Sequence, residues 1–184
     1  MASLEYFPYI FLLFVLTLSA IIDYRIQKIP NVITFPAILV FIAYHTVWNG
    51  LDGFVFSLSG LVAGIAVFIL PYLMGGMGAG DAKLMGAVGA MLGWKGVFTS
   101  FIYIALVGGV YALIILLRNI PYFKQVASES IETIKTFVLT KKLILEDAVT
   151  DSNRPRLCYG VAIAIGTWIY IGFDIVKINA FMLQ

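Results

Sequence analysis

Two residue types that build catalytic centres are almost missing from this 184-residue chain, which has one cysteine, Cys158, and one histidine, His45. A lone cysteine excludes an internal disulfide framework and any cysteine-based zinc site. A lone histidine with no partner at its depth excludes Ser–His and Cys–His nucleophile pairs, and no HExxH sequence is present. His45 is expected as a packed or interfacial residue in the outer half of a second span. Charge is scarce too, at 12% of residues against about 25% in soluble domains. No basic face stands outside the apolar runs, which excludes a nucleic-acid partner. The N-terminus lacks a basic n-region and an Ala-x-Ala cleavage site, so its apolar run is expected as a retained first helix rather than a signal peptide. No internal repeat or low-complexity tract stands out.

Apolar residues are what the chain does have, at 61% with mean hydropathy +0.99. The composition is that of an all-α polytopic membrane protein, a single membrane domain over residues 1–184. A spanning helix needs about 20 apolar residues, and runs near that length lie at 6–22, 32–48, 54–73, 97–117 and 157–173. The glycine-rich stretch 81–93 is shorter and reads as a short or partly re-entrant helix, giving about six transmembrane helices. Residues 119–156 form a polar insertion between the fifth and sixth, with apolar residues spaced for a surface-lying amphipathic helix. Lys and Arg crowd the connection after the first span (Arg25, Lys28) and the insertion. The opposite loops, "NGLDG" and "GWKG", add only Lys95. The positive-inside rule therefore places the insertion in the cytoplasm and both termini outside. Gly60 with Gly64, Ala82 with Gly86 and Gly89 with Gly93 have the spacing of close helix seams.

Ionisable groups against apolar segments are costly and mark function by default. Of ten acids, Glu5, Asp52 and Asp174 fall on the outer side, and Glu129, Glu132, Glu146, Asp147 and Asp151 in the insertion. Asp23 and Asp81 remain, on one side and at similar depth. Two carboxylates alone are too few ligands for a stable magnesium or zinc site. They suit acid/base work on water, because close like charges do not both ionise and the pair shares one proton. The reaction this favours is hydrolysis of a peptide bond without an acyl-enzyme. "GGMGAGD", ending at Asp81, adds a backbone with few side chains, against which an extended peptide could pair.

At these residues the chain resembles a known family. "GAGDAK" (Gly78 to Lys83) matches the GxGD motif of the type IV prepilin peptidases, and "DYRIQKIPN" (Asp23 to Asn31) is similar to their first aspartate block. "PRLCYGVAIAIG" (Pro155 to Gly166) resembles a segment of the small members that serve Flp-type, tight-adherence pili. Presenilin-like proteases share GxGD, but their PAL motif is absent here. The resemblance implies an aspartic endopeptidase that removes the short basic leader of a prepilin or pseudopilin at the cytoplasmic face of a prokaryotic inner membrane. Asp23 and Asp81 align with the catalytic pair, and no cofactor is implied. Larger members add a zinc-binding CxxC segment and N-methylate the mature pilin. This chain has no such insertion between its first two spans, so cleavage without methylation is expected.

The neighbours of the pair carry secondary expectations. Gly78 and Gly80 would support substrate backbone, and Lys83 would snorkel to the lipid headgroups or act electrostatically on the pair. Asp23 at a helix C-terminus would hold the shared proton more often than Asp81 at a helix N-terminus. Glu129 and Glu132 would attract a basic leader. Charge reversal at both should slow cleavage of a basic-leader substrate and spare a neutral-leader one; equal effects on the two substrates would end that idea. The competing class is a small proton-coupled transporter or proton-conducting protein, since intramembrane aspartates also build relays.

Overall fold

The structure, a computed structural model, describes residues 7–73, 76–118 and 158–182, without the side chains of residues 116 and 176–182. The insertion 119–156, with Glu129 and Glu132, lies outside the described residues. The described residues form four helices: α1 Phe7–Ile26, α2 Asn31–Leu73, α3 Ala79–Arg118 and α4 Tyr159–Met182. The first three are long and apolar enough to cross a membrane, and α4 carries a shorter apolar stretch, Tyr159–Ile175. The chain divides into two compact units, Met1–Gly108 with Cys158–Gln184, and Gly109–Leu157. In the second unit the described part is the end of α3, through Arg118. The candidate site described below lies in the first.

A straight helix of 43 residues would be about 65 Å long, twice the roughly 30 Å hydrocarbon core. α2 instead folds back at Gly50, whose φ of 59° and ψ of −137° are open to glycine and little else. The reversal shows in side-chain contacts. A Cβ at Gly53 would strike the carbonyl of His45, and the rings of His45 and Phe56 stand 4.9 Å apart. Residues with that separation would be about 12 to 16 Å apart along a continuous helix. α3 does the same at Gly93, with φ 70° and ψ 173°. The expected loops "NGLDG" and "GWKG" are thus turns centred on one glycine each, and Asp52 and Lys95 sit in helix just beyond them.

The second limb of α2 and the first limb of α3 meet along glycine. A Cβ at Gly60 would strike the Gly89 carbonyl, and one at Gly64 that of Met85, so the backbones themselves are in contact. In lipid there is no hydrophobic drive to pair helices, and close packing through small residues supplies the attraction instead. Ser57 adds a 2.7 Å hydrogen bond to the Ala90 carbonyl across the same seam. α1 packs against α4 and α2. Its buried residues Leu12, Val15, Leu16, Ser19 and Asp23 share one helical face, whereas Ile10, Phe14 and Ile21 are exposed. Polar Ser19 and Asp23 thus lie on the inward face among apolar residues, while Ile10, Phe14 and Ile21 face outward, as a lipid solvent favours.

Candidate active site

α1 ends in a left-handed residue, Gln27 at φ 55°, whose N–H bonds back to the Asp23 carbonyl at 2.8 Å. Pro30 then opens α2, its carbonyl accepting from Ile33 at 3.1 Å. This tight connection brings buried Ile29 against the start of α3. A Cβ at Gly80 would lie 3.0 Å from both the Cβ and the carbonyl oxygen of Ile29. Glycine at position 80 lets the "DYRIQKIPN" block and the "GAGD" block touch, and the touch brings Asp23 and Asp81 together as coulombic neighbours.

Both aspartates are buried, at 5% and 7% exposure. Asp81 is the third residue of α3 and accepts a 3.0 Å hydrogen bond from the N–H of Gly78, while its own N–H reaches the Gly78 carbonyl at 3.1 Å. This is the returning half of a capping box, which satisfies a donor the helix start leaves open. Asp23 accepts a 2.9 Å hydrogen bond from the N–H of Gly160, at the second position of α4. Cys158 precedes that helix with a thiol, a poor capping acceptor, and the carboxylate of α1 takes the capping place. Each aspartate is held through Oδ2, and Oδ1 of each carries no hydrogen bond among the described residues.

Two expectations change here. The dipole contrast between the aspartates disappears, because Asp23, although in the last turn of α1, also sits at the positive N-terminus of α4. Gly80 is helical rather than extended, and the Gly78 N–H is committed to Asp81. Lys83 is tied down as well. Its Nζ donates to Asn31 Oδ1 at 2.8 Å and sits 5.3 Å from the centre of the Phe35 ring, joining the start of α3 to the start of α2. Lys83→Met should cost about 1 kcal/mol of stability, read from the thermal midpoint, with cleavage kinetics nearly unchanged. A large loss of kcat at unchanged stability would instead give the ammonium a direct part in the chemistry. Arg25 and Lys28 are exposed. His45, in line with expectation, is packed, its Nε2 3.0 Å from the Met91 carbonyl and its ring edge-on to Tyr44 and Phe56.

Gly160 and Tyr159 are site residues that composition and charge counting missed. A Cβ at Gly160 would stand 2.9 Å from Asp23 Oδ2 and 3.0 Å from Asp23 Cβ, and the half-buried Tyr159 is a coulombic neighbour of Asp81. Their one signal in sequence is the position of "CYG" within the third resembling segment. No third His, Cys, Asp or Glu joins the pair to make a metal-binding group among the described residues.

The family described as the type IV leader peptidase family matches residues 10–113, which contain both aspartates. The prepilin leader peptidase/N-methyltransferase of Bacillus subtilis (strain 168) is 30% identical over 138 residues, 70% of this chain and 55% of that protein. The protein of the same description from Escherichia coli (strain K12) is 33% identical over 114 residues, 58% of this chain and 49% of that one. The chain thus spans about half the length of the curated relatives it matches. No solved structure matches.

Proposed function

The chain belongs to the type IV leader peptidase family, and on that premise we propose that it is an aspartic endopeptidase cutting the basic leader from prepilins or pseudopilins, with Asp23 and Asp81 as its catalytic pair. The observation that carries the reading is the meeting of two buried carboxylates from α1 and α3, each fixed by one helix-terminal N–H with its second oxygen unbonded among the described residues. One carboxylate, ionised, takes a proton from a water whose oxygen attacks the scissile carbonyl carbon. The other, protonated, gives its proton to the carbonyl oxygen. The tetrahedral intermediate collapses as the proton on the first acid passes to the departing amine and the second acid recovers its own. No group of the enzyme becomes covalently attached.

The placement we propose keeps the six-span topology. The limbs 31–49, 51–73 and 94–118, with α1 and α4, serve as five spans of ordinary length. The limb 79–92 reaches about 21 Å, short of the roughly 30 Å core. With Gly93 at the outer surface, Asp81 lies recessed below the inner headgroups, where a leader entering from the cytoplasm meets it. Cleavage without N-methylation completes the proposal. Incubating the detergent-solubilised chain with a prepilin and a biological methyl donor should give a shortened product on a gel, and mass spectrometry should find an unmethylated N-terminus. An uncut prepilin under conditions where a known leader peptidase cuts it would overturn the reading.

A further inference from the structure

At the end of the same helices away from Asp23 and Asp81 lies a cavity of about 250 Å³. Tyr9 near the start of α1, Tyr44, His45 and Trp48 on the first limb of α2, and Tyr170 and Asp174 on α4 line it. Along α1 the step from Tyr9 to Asp23 is about 21 Å, so this cavity is no part of the aspartate pair's site.

Its chemistry has one sign. Among the described residues, Asp174 is the single carboxylate that lines it, and no Lys or Arg lines it with Asp174. Asp174 is a coulombic neighbour of Tyr9 and Tyr170, and it has no hydrogen bond or ion pair among the described residues. Lys177, one turn further along α4, has its side chain outside them. The rings are fixed against one another, Tyr44 standing 5.3 Å from His45 and 6.2 Å from Trp48. His45 is anchored from behind, because the Met91 carbonyl 3.0 Å from Nε2 can only accept, so that nitrogen carries a proton.

Aromatic faces and a carboxylate both attract cations and repel anions. A neutral apolar ligand would bury the Asp174 charge without a partner, which is costly. What fits is a cation with some carbon around it. The volume falls below the roughly 300–1,000 Å³ of sites that enclose a whole drug-sized ligand, which suits a headgroup whose chains stay outside. Phe7 and Val47, next in sequence to the lining residues Pro8 and Trp48, are exposed and apolar, as a surface alongside acyl chains would be. We propose that this cavity binds the ammonium group of an amine-headed phospholipid, at the membrane surface opposite the aspartate pair.

The test uses the full chain in detergent with Trp94→Phe and Trp168→Phe, which leaves Trp48 as the reporter among three tryptophans. Short-chain phosphatidylethanolamine should change Trp48 emission saturably, and phosphatidylglycerol of the same chain length should bind about tenfold more weakly. Asp174→Asn should weaken the ethanolamine lipid about tenfold while cleavage of a prepilin stays at the unsubstituted rate. Should that variant not fold, Tyr44→Leu removes a ring face without touching charge and should weaken binding in the same direction. Free ethanolamine saturating the signal as well as the lipid does would support the ammonium site and assign it to soluble amines. Equal binding of both lipids, no saturable response to any amine, or full affinity in both variants would overturn the proposal.

Discussion

Asn at either Asp23 or Asp81 is expected to lower leader cleavage by about 10⁴-fold, and the double replacement to lower it little further. Asn keeps the shape and the carbonyl oxygen that accepts from Gly160 or Gly78, so the fold and the thermal midpoint should stay close to those of the unsubstituted protein. It cannot take a proton from water or hand one to a carbonyl. Because one proton is shared between two sites, the loss of either site stops the cycle, and the second loss finds nothing left to remove. Cleavage rates of the three variants, measured with folding and prepilin binding as controls, check this. Losses that multiply in the double variant would show two groups acting independently. A residual rate within tenfold of normal in either single variant would remove that aspartate from the chemistry.

Gly160→Ala should lower kcat by roughly tenfold, since a shift of a few tenths of an ångström in a reacting group is a fraction of the ~1 Å misplacement that costs about 10²-fold. The new methyl would sit 2.9 to 3.1 Å from three atoms of Asp23, so the carboxylate has to shift by a few tenths of an ångström against the start of α4. The prediction is sharp because alanine inside a helix is ordinarily favoured over glycine by about 1 kcal/mol, so helix propensity alone would keep or raise stability. Kinetics at saturating substrate against the thermal midpoint separate the two effects. Normal kcat in Gly160→Ala would mean that Asp23 works equally well from a displaced position, and that its bond to α4 serves architecture only.

The parts of this fold readable in the sequence are those governed by composition and spacing. Apolar runs located the starts of the helices and their limbs within a few residues, since a bilayer imposes a length on anything that crosses it. The acids outside the apolar runs could be set aside by position, which left Asp23 and Asp81. Gly60 and Gly64 were legible as a seam because small residues one turn apart have few other uses in lipid. The single-glycine reversals at Gly50 and Gly93 were hidden, since the φ that makes them possible is a property of the folded backbone. The bond from Asp23 to Gly160 crosses 137 positions, and no local pattern announces a cap supplied by another helix. Lys83 pointed in two directions on paper, and the contacts it makes, with Asn31 and Phe35, were in neither, since their nearness follows from the α1–α2 connection.

That long-range cap has a consequence for biogenesis. The segment bearing Asp23 leaves the ribosome well before Tyr159 and Gly160 have been synthesised, so for most of translation the carboxylate waits without its amide donor. A nascent chain stopped anywhere before α4 would hold an unfinished centre. On the function proposed above, cleavage would therefore wait for α4, whose Gly160 N–H fixes the Asp23 carboxylate.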